Sequence, residues 1–270
     1  MKKWESQFKL GDVLTAEQLD FFREHGVILF RNFLSPEQVQ LYISEVSRIE
    51  QIWLDEKREK VNGIPLKFGK DYKGNMTIQR LCFTSLYSDS LHQLIQHPKL
   101  QALLPFLGAF EGRIGEEEKD GLVVNNYINT PNSTFTQMGW HTDAPRDLFM
   151  GQRIMPMLNV GIHLDNCAFE NGGLRVIPGT QRQNMLKLLF GKKYFIDNSD
   201  DRREVGFDIQ AGDLSVHDGR LWHRVKQSPL FGEASRRRVM YVPLVTGKYA
   251  PKDENSKTPF YHRFTAKVHH

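Results

Sequence analysis

From residue 122 to residue 244 the chain is cut into short apolar runs by turns rich in glycine, proline and asparagine. This punctuation restricts the fold more than any other feature. Residues 122–128, 157–164, 174–177, 214–216 and 239–244 are β-prone and bounded by turn residues. The turns are Thr130-Pro131-Asn132-Ser133, Glu170-Asn171-Gly172-Gly173, Pro178-Gly179-Thr180 and Ala211-Gly212-Asp213. Many short strands joined this way predict a sandwich or a barrel, because a half-apolar strand needs a second layer to cover it.

The first 110 residues read differently. Residues 1–12 form an irregular arm. Thr15 and Gln18 make a capping box, Leu19, Phe21 and Phe22 supply an apolar side, and Gly26 closes the helix. Residues 27–30 are a short strand. Ser35, Pro36 and Gln38 open a second helix, along which Val39, Tyr42, Ile43, Val46, Ile49 and Trp53 recur at helical spacing to about residue 56. Residues 57–88 are loop-like, with 64–68 extended, and helices follow over 90–96 and from Pro98 to Gly108. The acidic run 116–120 and the polar stretch 181–206 read as solvated surface. No linker separates the halves, so the reading is one domain, 1–270. Helices over 1–110 pack on a barrel over 111–247, and a tail follows over 248–270.

Composition narrows the class. The chain has 270 residues, a 40% hydrophobic share and a net charge of +4, ordinary for a globular protein with a sizeable core. Its basic runs are short and sit in no recognisable nucleic-acid motif. Cys82 and Cys167 form no CxxC pair. No apolar run marks a secretory signal, and no window reaches the length of a membrane span, so the expectation is a cytoplasmic protein. His269-His270 is set aside as either native or the remnant of a tag.

Chemistry enters with His141-Thr142-Asp143. On a strand, positions i and i+2 point to one face, so an imidazole and a carboxylate can share a target. The stretch from Ala211 to His223 adds His217 and His223. Two imidazoles and one carboxylate leave the opposite face of an Fe(II) ion open, which suits O2 chemistry. A further histidine, His163, falls on a strand and reads as a satisfied core residue.

Several stretches carry a resemblance to a known family. They are 14–26, Phe33-Leu34-Ser35-Pro36-Glu37-Gln38, 97–108, Trp140-His141-Thr142-Asp143, 165–180 and 211–223. With them the chain resembles the phytanoyl-CoA dioxygenase family of Fe(II)/2-oxoglutarate oxygenases. The resemblance implies a mainly β fold with flanking helices: a double-stranded β-helix, or jelly-roll barrel, holding iron at one mouth. It implies His141, Asp143 and His223 as metal ligands, with His217 the competitor for the third place. It also implies an arginine that binds the far carboxylate of 2-oxoglutarate. Arg236, Arg237 and Arg238 compete for that role, and alignment to the following strand favours Arg237. Asn159 and Tyr127 are possible co-substrate contacts by position, with plain barrel-lining residues as the alternative.

The implied activity consumes O2 and 2-oxoglutarate, releases succinate and CO2, and hydroxylates a C–H bond of a small-molecule substrate. Desaturation or ring formation is also open. Asp143 speaks against halogenation, because halogenating relatives put a small residue there. Substrate choice would rest on the N-terminal helices and on loops around 57–88, 144–156 and 181–206. Arg146, Arg153 and Lys67 either favour an acidic substrate or are solvated charge. Two rival readings remain: a cupin-like metalloenzyme that does not use 2-oxoglutarate, and a non-catalytic relative.

Overall fold

The structure is a computed structural model that describes every residue except 1, 6, 7, 132, 134, 150–152 and 260–270. Asn132 of the expected turn, part of the 144–156 loop and His269-His270 lie outside the described residues, as does the side chain of Arg146.

Both capping boxes form. Thr15 Oγ1 accepts from the Gln18 amide at 3.2 Å while Gln18 Oε1 accepts from the Thr15 amide at 3.0 Å, opening the helix Ala16–His25. Gly26 ends it with φ 73°, a left-handed value that costs glycine little. Ser35 and Gln38 repeat the arrangement ahead of the helix Pro36–Asp55. That helix buries Val39, Tyr42, Val46, Ile49 and Trp53, the apolar stripe expected from its spacing.

Two antiparallel sheets face each other. The larger runs in the order Val27–Phe30, Leu214–Asp218, Met157–His163, Arg237–Val245, Val123–Tyr127, Met76–Leu81, Lys67–Lys70. The smaller runs Lys2–Trp4, Val205–Phe207, Gly173–Val176, His223–Lys226, Met138–His141, and its edge pair of Lys2–Trp4 with Val205–Phe207 is parallel. From Val123 onward the chain passes back and forth between the sheets, which makes the jelly-roll barrel.

Alternation along the central strand Met157–His163 separates two environments. Leu158, Val160 and Ile162 face outward and join Val46, Ile49 and Trp53 of the long helix in one core cluster. Asn159, Gly161 and His163 face the barrel interior. The helices thus cover one face of the larger sheet and leave the other free to line a polar site.

Residues 57–88 are more ordered than their composition suggests. Lys60–Val61 pairs with Ile64–Pro65, and Met76–Leu81 joins the larger sheet through Arg80↔Asn125 and Leu81↔Val124. The arm at the start supplies the strand Lys2–Trp4. Residues 181–206 include the helix Met185–Phe190 and bury Leu188 and Glu204 fully. Among the described residues no helix is long and apolar enough to cross a membrane.

Candidate metal centre

The site is built on two neighbouring strands of the smaller sheet. Met138–His141 and His223–Lys226 run antiparallel, with His141 and His223 as direct partners. Alternation sends Trp140 and Arg224 outward and both imidazoles inward. Each ring is pinned from behind. His141 Nδ1 meets the Gly139 carbonyl at 2.8 Å, and His223 Nδ1 meets the Leu221 carbonyl at 3.0 Å. A carbonyl only accepts, so Nδ1 carries the proton and Nε2 presents a lone pair. Burial pulls the pKa of His141 down and that of His223 well below the usual histidine value, which favours the neutral ring in each.

Asp143 lies just past the strand end. Its amide and that of Ala144 donate to the Gly219 carbonyl at 2.8 and 2.9 Å, tying the metal loop to the turn before His223. Burial alone would push its carboxyl up, but the neighbouring His217, His223 and His141 outweigh that and hold it well below the usual carboxylate range. His141, Asp143 and His223 each offer an atom within 4.8 Å of the others. Two neutral imidazoles with backbone-fixed tautomers and one ionised carboxylate form the donor set of a two-histidine, one-carboxylate Fe(II) site, so these residues fit that ion.

His217 also points into the barrel. It is 1% exposed, and its Nε2 lies 3.7 Å from Asp143 Oδ2. Its ring centroid is 4.3 Å from that of His223. The Asn159 amide donates to the same Oδ2 at 3.2 Å. His163 is elsewhere: its Nε2 is 3.0 Å from Ser215 Oγ, and burial brings its pKa to about 3.

Strand parity separates the three arginines. Arg236 is paired with Glu233 and reaches Asn126, and Arg238 makes a forked pair with Asp165. Arg237 is buried on the opposite face. Its two terminal nitrogens donate to the carbonyls of Lys226 at 2.9 Å and Thr136 at 3.3 Å, and its Nε has no hydrogen-bond partner. Its guanidinium lies 5.7 Å from the Tyr127 ring, and the two residues are direct strand partners. Tyr127 stacks on Phe135 at 4.5 Å, and Lys67 Nζ sits 4.8 Å from the Phe135 ring. Burial, with Arg80 nearby, lowers the Lys67 pKa to about 8, whereas Arg153 is exposed.

Two features of the site escape sequence reading. Tyr241 shares the inner face with Arg237, four residues on, and lies among Tyr127, Asp143 and Arg237. Strand parity with Arg237 was the available signal. Phe195 stacks on the His141 ring at 4.8 Å, and Tyr194 Oη is 2.8 Å from Thr142 Oγ1. So residues 181–206 cover the metal loop, and no local pattern in them announces it.

Comparison with known proteins places this architecture. An ectoine dioxygenase from Bordetella parapertussis is 25% identical over 178 residues, 65% of this chain. The counterpart from Bordetella bronchiseptica is 24% identical over the same length. The chain spans about half, 52%, of these curated relatives. The crystal structure of AviO1 from Streptomyces viridochromogenes superposes with a TM-score of 0.61 at 16% identity, covering 89% of this chain and 98% of that one. HygX from Streptomyces hygroscopicus, solved with nickel and 2-oxoglutarate bound, gives 0.60 at 15% identity, covering 88% and 89%. These likenesses confirm the fold. The sequence model of the phytanoyl-CoA dioxygenase (PhyH) family matches residues 22–228, most of the chain, and the chain belongs to that family.

Proposed function

We propose that this chain is an Fe(II)- and 2-oxoglutarate-dependent dioxygenase that hydroxylates a C–H bond of a small-molecule substrate. One observation carries the reading. Two backbone-locked imidazoles and an ionised carboxylate converge within 4.8 Å inside a barrel whose interior also holds the buried Arg237.

His141, Asp143 and His223 would hold the iron through two Nε2 atoms and a carboxylate oxygen. Arg237 would bind the far carboxylate of 2-oxoglutarate. A guanidinium stays charged and offers a planar fork that matches a carboxylate. Its unpartnered Nε is an orphaned buried donor, a group that ordinarily finds an acceptor. Tyr127, beside Arg237, and Asn159, on the neighbouring strand, would flank the co-substrate. The bound iron, 2-oxoglutarate and O2 supply the oxidising chemistry, with succinate and CO2 released.

The chain's own part is to bind, orient and exclude water, and no side chain is asked to act as acid, base or nucleophile. Asp143 fills the position that a halogenating site would leave to a small residue, so hydroxylation is the reading. A cupin-like enzyme without 2-oxoglutarate would leave the buried Arg237 without a ligand, and a non-catalytic relative would not need a neutral, aligned histidine pair. The helices and larger sheet share one core cluster, which supports reading the whole chain as one domain. The two cysteines are buried and unpaired, which supports a reducing, cytoplasmic setting.

The test is direct. Fe(II) and 2-oxoglutarate are added anaerobically, and the visible metal-to-ligand charge-transfer band is recorded. Air is then admitted and succinate measured. A band, followed by succinate above a His141→Ala control, is expected. Absence of both would overturn the assignment.

A further inference from the structure

His217 is chemically out of place as a packing residue. It is 1% exposed, and neither ring nitrogen has a hydrogen-bond partner. A buried polar atom left unpaired is costly, and a phenylalanine would fill similar volume without that cost. The ring packs against that of His223 at 4.3 Å, which any aromatic would do equally. The imidazole therefore needs an explanation in terms of its nitrogens.

Its surroundings supply one. Leu214–Asp218 and Met157–His163 are adjacent antiparallel strands, and His217 is the direct partner of Asn159. The two side chains stand side by side on the inner face. Both address one atom: the Asn159 amide reaches Asp143 Oδ2 at 3.2 Å, and His217 Nε2 stands 3.7 Å from it. At 3.7 Å this second contact is longer than a hydrogen bond, so forming it requires the carboxylate or the ring to turn. His217 is not one of the three residues whose donor atoms all lie within 4.8 Å of one another, which sets it beside the carboxylate and outside the ligand group.

We propose that His217 is a positioning residue: with Asn159 as its partner, its Nε2–H holds the Asp143 carboxylate in the orientation that the metal requires. The inference rests on the iron reading above. Carboxylate ligands are commonly fixed by hydrogen bonds from a surrounding shell, and losing such a partner typically weakens metal affinity about 10–100-fold.

The experiment compares full-length wild type, H217F, H217Q, N159A, the H217F/N159A double variant and H141A. Far-UV circular dichroism and thermal melting check the fold. Anaerobic Fe(II) titration gives affinity, and Co(II) substitution gives a visible spectrum that reports ligand geometry. H217F keeps the packing and removes the donor, so about a 10-fold or greater loss of Fe(II) affinity with a shifted Co(II) spectrum is expected. H217Q places an amide donor near the same point and should recover most of the loss. The double variant should lose less than the product of the single losses, because both residues act on one carboxylate. Wild-type affinity and an unchanged Co(II) spectrum in a folded H217F would overturn the proposal. Loss as complete as in H141A would also overturn it, by making His217 a ligand. A wild type that binds no iron would remove the metal reading itself, an outcome distinct from either.

Discussion

His141 and His223 are direct partners on adjacent strands, and each donates its Nδ1–H to a carbonyl two residues before it. The ring orientations are therefore set by the same backbone that forms the sheet. His217 sits on the other sheet. His141→Ala and His223→Ala should each weaken Fe(II) binding by more than the roughly 100-fold reach of an outer-shell change, whereas His217→Ala should stay within it. Anaerobic titration of the three variants decides the matter, and retained tight binding in His223→Ala would reassign the third ligand.

The three consecutive arginines are expected to separate sharply. A hydrogen bond to a charged group is worth about 1.5–3 kcal/mol, so Arg237→Ala should raise the Kd for 2-oxoglutarate by roughly 10- to 100-fold. Arg237→Lys keeps the charge and loses the fork, and should fall between. Arg236→Ala and Arg238→Ala break partly exposed ion pairs with Glu233 and Asp165 and should leave the Kd unchanged, with a stability loss of about 0–1 kcal/mol. Isothermal titration in the presence of a redox-inert metal separates the three.

Much of this was legible in the chain because it is local. A capping box closes within four residues, so Thr15 and Ser35 announce their helices without reference to the rest of the fold. The His141–Asp143 spacing and the parity of Arg237 are equally local once the strands are known. What stayed hidden depends on distant partners. Met76–Leu81 has no clean apolar alternation, and it is a strand because Arg80 and Leu81 find Asn125 and Val124. Residues 181–206 read as surface because they are charged. Yet Glu204 is fully buried against Arg224, and the pairing conceals the burial. His217 and His223 are six residues apart on strands of different sheets, and only the crossing between sheets turns both rings inward.

The covering segment should give the protein an acid-sensitive contribution. Asp200 is held at about 2, against an ordinary 3.8, by the hydrogen bonds it accepts from Lys226 and Arg224 of the strand His223–Lys226. A depressed carboxyl favours the fold while it is ionised, so its contribution is present above the ordinary value and is lost as pH falls through about 2. Asp200→Asn should melt below wild type near neutrality, and the gap should narrow between pH 4 and pH 2, since roughly that interval spans the two pKa values. Half of the Asp200 side chain is exposed, so the difference should be small and should shrink in high salt. A gap that is independent of pH would contradict this account.

Gly139 tests how tightly the covering segment and the metal loop are joined. A Cβ built there would lie 2.5 Å from the Phe195 carbonyl oxygen and 2.7 Å from its carbon, and neither is the movable end of a side chain. The same segment is held by the amide of Trp140 to the Asp197 carbonyl at 2.8 Å and that of Phe195 to the Trp140 carbonyl at 2.9 Å. Relief must therefore come from breaking those bonds or from moving the strand. Gly139 also carries the carbonyl that fixes His141 Nδ1, so strand movement disturbs the imidazole directly. Overpacking of this kind costs about 1–3 kcal/mol. Gly139→Ala should show that loss in chemical denaturation and, with it, weaker Fe(II) binding. Phe195→Ala is the matched comparison, since it removes the ring stacked on His141 while leaving the backbone bonds in place. It should lower stability with a smaller effect on metal affinity. Equal metal affinity in Gly139→Ala and wild type would show that the segment lies over the site without bracing it.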